Sequence, residues 1–197
     1  MRPLVFVWPY WLVFWAVYVW GFGPEFKIVR DARKNAKRAD SVDRGSISFL
    51  LASTGIAAFV AFPLAFVRAG SVPARARIPM FFAGVLLMLL GSLLRRYCWR
   101  TLGEYFTGDV QARADQPVIR TGPYSIVRHP SYTAAMMMFI GMGLALGSWF
   151  SLGLITIAAV AGYGYRVVVE ERALLETLGE PYRVYMKERK RFIPYIV

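Results

Sequence analysis

Arg128-His129-Pro130-Ser131-Tyr132 stands at the mouth of a long apolar stretch whose far end carries Arg166 and then the adjacent pair Glu170-Glu171. The chain has one histidine and 57% apolar residues, so ionisable groups gathered beside membrane-grade sequence point to a chemical site at a bilayer surface. Pro130 suits the first turn of a helix, where its missing N–H is no loss. Arg128 and His129 then sit at a helix N-terminus, whose free backbone donors and dipole favour a ligand carboxylate or phosphate. Each residue also has a plainer reading: Arg128 as a contact to lipid phosphate, His129 as the residue that fixes the turn, Tyr132 as an interfacial aromatic. Arg166 and Glu170 lie four apart and share a helix face, either as an ion pair or as two groups facing a cavity. Glu171 projects about 100° away from Glu170. The two carboxylates therefore cannot make the same contact, which suits a division between substrate and cofactor.

These groups need elements to hold them. A positive mean hydropathy and only 18% charged residues in 197 are too apolar for a soluble domain of this size and fit an integral membrane protein of one domain. Residues 4–20, 47–67 and 78–94 are apolar runs of roughly the 17 to 25 residues that cross a bilayer as helix. Residues 133–169 exceed one crossing, and Gly147-Ser148-Trp149 divides them into two arms of a hairpin. The expectation is an all-α integral membrane protein of about five transmembrane helices, the last two a helical hairpin. The first segment lacks a cleavage site of small residues and carries Trp and Tyr at both ends, which fits a retained helix.

Basic residues gather in the first and third loops and in the tail, with few in the second and none in the fourth. By the positive-inside rule the N-terminus lies outside and the C-terminus and both reactive segments lie on the cytoplasmic side. The net charge of +12 follows from this topology and from attraction to membrane lipids. No nucleic-acid reading element accompanies it. One cysteine, one histidine and a single Glu pair give no metal site of ordinary ligand count. The third loop is too long for a connector and is rich in aromatics, which marks it as functional. Beyond Val169, Leu174, Leu175, Leu178, Tyr182 and Tyr185 recur at helical spacing around Gly179-Glu180-Pro181, as a packing stripe against loop three or as a ligand box. Folding the tail back onto that loop closes a cytoplasmic cap. Gly141, Gly143, Gly147, Gly162 and Gly164 allow close helix packing or a gap for a lipid tail.

In this order, Leu102-Gly103, Gly122-Pro123-Tyr124, Arg128-His129-Pro130-Ser131-Tyr132, Arg166 with Glu170-Glu171 and Leu174, and Gly179-Glu180, Tyr182, Tyr185 and Pro194 resemble the isoprenylcysteine carboxyl methyltransferases and their bacterial and archaeal relatives. They are also similar to phospholipid N-methyltransferases. The resemblance covers about the C-terminal half. It implies transfer of a methyl group from S-adenosylmethionine to a lipophilic acceptor at the cytoplasmic face, most naturally an isoprenylcysteine carboxylate. It also implies a division of the single domain 1–197 into three first helices with a basic loop (1–94) and a cofactor-binding and catalytic half (95–197). Gln111, Val118, Ile119, Tyr124, His129 and Tyr132 become cofactor candidates, joined by Arg128 and Glu171, while Arg166 and Glu170 fall where acceptor and methyl donor meet. Gln116 stands where family members often have histidine, so no contact is assigned there. Competing readings are a phospholipid N-methyltransferase, an NADPH-dependent sterol-type reductase with a similar cap, and a lipid-binding protein without catalysis.

Overall fold

The computed structural model describes residues 2–36, 45–106 and 116–193. Its helices are α1 (Tyr10–Ala36), α2 (Ser46–Leu64), α3 (Ala74–Leu102), α4 (Pro130–Ala145), α5 (Trp149–Leu178) and α6 (Glu180–Glu188), joined in part by short 3-10 turns. Among the described residues, α2, α3 and α5 are long and apolar enough to cross a membrane. Only 28%, 33% and 39% of their apolar windows are buried. Side chains such as Phe59, Val60 and Ile157 thus point outward, an arrangement that lipid tolerates and water does not.

Several helices run past their apolar cores. The first begins at Tyr10 rather than residue 4 and continues to Ala36, so the basic segment after residue 20 is helical as far as it is described. The third extends to Leu102, which puts Arg95, Arg96 and Arg100 on a helix instead of in a loop. Gly103, at φ +56°, ends it, a conformation that costs glycine little. The hairpin divides at the expected place: Gly147 takes φ +67°, and the Ser148 hydroxyl caps α5 by accepting from the Ser151 N–H at 3.3 Å.

Helices α3 and α4 cross at glycines. A Cβ on Gly84 would meet the Gly141 carbonyl oxygen at 2.5 Å, and one on Gly141 would meet the Gly84 oxygen at 2.6 Å, so the backbones touch directly. Gly162 packs similarly against Leu50 of α2, whereas Gly164 faces open space. At one end of the bundle the Val72 N–H donates to the Gly147 carbonyl at 3.1 Å, tying the α2–α3 turn to the α4–α5 turn. Loop three and the tail meet at the opposite end.

Candidate active site

The first turn of α4 carries the motif, and the tail runs alongside it. The Arg128 N–H donates to the Lys190 carbonyl at 2.8 Å and the His129 N–H to the Arg191 carbonyl at 2.9 Å. The tail thus takes the N–H groups of the two residues that immediately precede the helix. The side chains reinforce the seam: the Arg128 guanidinium donates to the Met186 and Arg189 carbonyls at 2.6 and 3.0 Å, and Thr133 Oγ1 donates to the Phe192 carbonyl at 3.0 Å. Farther along, the Tyr185 hydroxyl donates to the Tyr124 carbonyl at 2.6 Å, and Arg120 pairs with Glu188 at 3.1 Å. Burial pushes the Tyr185 phenol up to about 12.

Under this seam lies a cavity with about 1410 Å³ of space free of protein atoms, part of it open to the surroundings. Loop three and the tail give it a wall with polar and aromatic groups, including Gln116, Tyr124, His129, Tyr182 and Tyr185. Helices α2 and α4 give it an apolar wall that includes Ile47, Leu50, Leu51, Met138 and Phe139. Arg166 and Glu170 reach it from α5.

Between Arg166 and Glu170 stands Tyr132. Its hydroxyl accepts from Arg166 Nε at 3.0 Å and donates to Glu170 Oε2 at 2.5 Å. Arg166 Nη1 also donates to the Ser46 hydroxyl at 3.1 Å. The His129 ring stacks on the Tyr132 ring, with centroids 5.5 Å apart and planes 3° from parallel, and His129 Nδ1 lies 3.7 Å from Glu170 Oε2. An anionic group, a cationic group and a phenol thus converge where the polar and apolar walls meet.

The neighbouring glutamate has a different setting. Glu171 is absent from the cavity lining and is buried. Its Oε1 takes Arg128 Nη2 at 2.8 Å and His129 Nε2 at 3.2 Å, and its Oε2 takes Arg191 at 2.8 Å. It holds motif and tail together from behind the wall.

Val118, Ile119, Tyr124, Arg128, His129 and Tyr132 all line the cavity, as does Gln116, to which the sequence assigned nothing. Gln111 lies outside the described residues. The tail stripe does two things at once: Leu174, Leu178, Tyr182 and Tyr185 line the cavity while Tyr185 bonds to loop three. Sequence reasoning missed Glu25 and Arg95, which form a bidentate ion pair on the cavity wall. The available signal was an acid immediately after an apolar run, at Pro24-Glu25. Its partner was counted only as a loop charge. Among the described residues no group of three His, Cys, Asp or Glu side chains could hold a metal ion.

The phospholipid methyltransferase family model matches residues 79–181, just over half of the 197 residues. The chain is 32% identical over 115 residues to the protein-S-isoprenylcysteine O-methyltransferase of Saccharomyces cerevisiae, covering 57% of this chain and 48% of that one. It is 30% identical over 115 residues to the Xenopus laevis protein of the same name, covering 57% and 40%. Its fold is similar to a solved structure of the eukaryotic intramembrane Ras methyltransferase, isoprenylcysteine carboxyl methyltransferase, with a TM-score of 0.62 and 25% identity over 72% of this chain and 52% of that one. The chain spans about half the length of these relatives.

Proposed function

Since the chain belongs to the phospholipid methyltransferase family, a membership that implies a methyl donor, we propose that it transfers a methyl group from S-adenosylmethionine to the carboxylate of an isoprenylcysteine-like acceptor. The observation that carries this reading is the cavity with two walls, whose polar and apolar sides meet at Arg166, Tyr132 and Glu170.

The polar wall fits the cofactor. Arg128 lines it, and its buried Nε–H has no hydrogen-bond partner, which suits a ligand acceptor atom such as the cofactor's carboxylate. Tyr124, His129 and Tyr182 offer flat faces to an adenine ring, with Val118 and Ile119 beside them and Gln111 a further candidate. When bound, S-adenosylmethionine supplies an electrophilic methyl group. The protein's task is then alignment and exclusion of water, since an in-line displacement needs no covalent enzyme intermediate. Arg166 holds an acceptor carboxylate as a charge-assisted pair. Glu170, fixed through the Tyr132 hydroxyl, holds the guanidinium in place and favours positive charge beside it. Glu171 serves the cofactor indirectly, by fixing Arg128 and His129.

The reading extends to the membrane. Helices α1 and α4 join the three apolar spans to make five crossings, with α4 and α5 as the hairpin. The domain is single, with 1–94 providing the first three helices and 95–197 the cofactor-binding and catalytic half. Basic loops and tail set the cavity end, with its cap of loop three and tail, in the cytoplasm and the N-terminus outside. The acceptor's lipid tail lies along the apolar wall.

The family's description favours a second acceptor class, a phospholipid amine. An amine needs no cation to hold it, so Arg166→Gln separates the two: loss of transfer to N-acetyl-S-farnesylcysteine supports the carboxylate, while retained transfer to phosphatidylethanolamine supports the amine. The cofactor is tested by calorimetric titration of the detergent-solubilised protein with S-adenosylhomocysteine, with NADPH alongside. Saturable binding of S-adenosylhomocysteine alone, weakened about tenfold in His129→Ala, is expected. Binding of NADPH in its place overturns the reading in favour of a reductase, and binding of neither favours a lipid-binding role.

A further inference from the structure

We propose that Glu25 is a positioning residue for this transfer: it fixes the Arg95 guanidinium, which holds the first turn of α4 so that the Tyr132 hydroxyl stays between Arg166 and Glu170. The proposal rests on the reading that Arg166, Tyr132 and Glu170 surround the reacting atoms.

Glu25 follows Pro24 within α1 and lies on the cavity wall. Both its oxygens accept from one guanidinium, Oε1 from Arg95 Nε and Oε2 from Arg95 Nη2, the latter at 2.8 Å. Arg95 Nη1 donates onward to the Ser131 carbonyl at 2.9 Å and to the Ser131 hydroxyl at 2.7 Å. Trp99 and Phe106 flank the guanidinium, with ring centroids 5.7 and 5.8 Å from its carbon. Arg95 is therefore fixed in its plane by hydrogen bonds and flanked by two rings. Ser131 immediately precedes Tyr132, so a shift of Arg95 is passed directly to the phenol.

Stability alone is a poor account of this pair. Desolvation largely offsets the attraction inside a buried ion pair, and apolar residues of similar volume often serve as well. What apolar residues cannot supply is direction. A carboxylate gripping a planar fork sets the orientation of the donor on its other side. Residue 25 lies on the cavity wall together with Phe22 and Ile28, although it falls outside the 79–181 match, so the first helix contributes to the site.

The test joins kinetics to a probe that does not depend on activity. Transfer from S-adenosylmethionine to N-acetyl-S-farnesylcysteine is measured in wild type, Glu25→Gln and the apolar double variant Glu25→Leu/Arg95→Met. The fluorine NMR signal of 3-fluorotyrosine placed at position 132 is recorded in each. Glu25→Gln is expected to lower kcat at least tenfold, to leave the Kd for S-adenosylhomocysteine within twofold, and to shift or split the fluorine signal. The double variant is expected to regain the wild-type unfolding midpoint without regaining turnover, which a purely stabilising pair would not do. A kcat within twofold in Glu25→Gln, recovered turnover in the double variant, or an unchanged fluorine signal overturns the proposal. If the wild-type protein transfers no methyl group, the reading of the reaction fails, and the fluorine comparison still decides whether Glu25 governs Tyr132.

Discussion

At the cavity end of the bundle Arg95, His129, Arg166 and Glu171 are buried; at the other end Gly147, Ser148 and Leu146 close the chain with a tight turn and backbone hydrogen bonds. Both ends must satisfy the terminal groups of the same helices. The far end does so locally, with a left-handed glycine, a serine cap and a bond between two turns. The cavity end uses charges, although burying them carries a desolvation cost of several kcal/mol per ion before pairing. Charge is concentrated where two walls of different polarity meet and is absent from the buried groups of the opposite turn. The same contrast recurs within one peptide unit: Glu170 faces the cavity and Glu171 is bound behind it.

The largest effect that sharpens this contrast is expected at Glu170. Glu170→Gln keeps an acceptor for the Tyr132 hydroxyl but removes the charge, and should lower methyl transfer about 100-fold, near 3 kcal/mol on the barrier. The unfolding midpoint should stay close to wild type. Near-normal turnover would remove Glu170 from the mechanism. Glu171→Ala, one residue on, should act mainly on stability. It strands the buried His129 and the largely enclosed Arg128 side chain without their carboxylate, a loss of roughly 3 kcal/mol by comparison with other broken buried pairs, visible as a lower unfolding midpoint and faster proteolysis of the tail. An unaltered midpoint would break the distinction between the two glutamates.

A smaller effect belongs to the cap seam. The folded protein holds the Tyr185 proton more tightly than an ordinary phenol near 10, with its titration pushed up to about 12. Its contribution to stability is thus full below about pH 10 and is lost as pH rises through about 12. Limited proteolysis across that window should release the tail from loop three, and Tyr185→Phe should flatten this component of the pH dependence. The smallest change is expected at the far end. Ser148→Ala removes the α5 cap and should cost about 1 kcal/mol while leaving kcat and KM unaltered; a kinetic change there would show that the two ends are coupled.

Much of the frame was legible in the residues. Apolar run lengths marked the three helices α2, α3 and α5 that are long and apolar enough to cross a membrane, Gly147-Ser148 marked the hairpin turn, and Gly179-Glu180-Pro181 marked the break between α5 and α6, because helix length, left-handed turns and proline placement are local properties. The helical period also put Arg166 and Glu170 on one face. What it left open was whether they paired directly or faced a cavity. In the fold, Tyr132 stands between them and both line the cavity.

Sequence alone therefore determined the class of the protein, an all-helical membrane chain, and the two segments that meet at the site. Tertiary structure decided the partners. Arg166 finds Tyr132 across 34 residues and Ser46 across 120, and Glu25 finds Arg95 across 70. Those pairings depend on how α1 and α4 pack against α3 and how α2 and α4 pack against α5, and the Gly84–Gly141 crossing fixes one part of that placement. The fate of Glu171 likewise depended on where the tail returned: its carbonyls took the backbone donors at Arg128 and His129, and Arg191 came with them to the buried carboxylate. A helical period gives the direction in which a side chain leaves its own helix, and only the packing of the other helices supplies what it meets there.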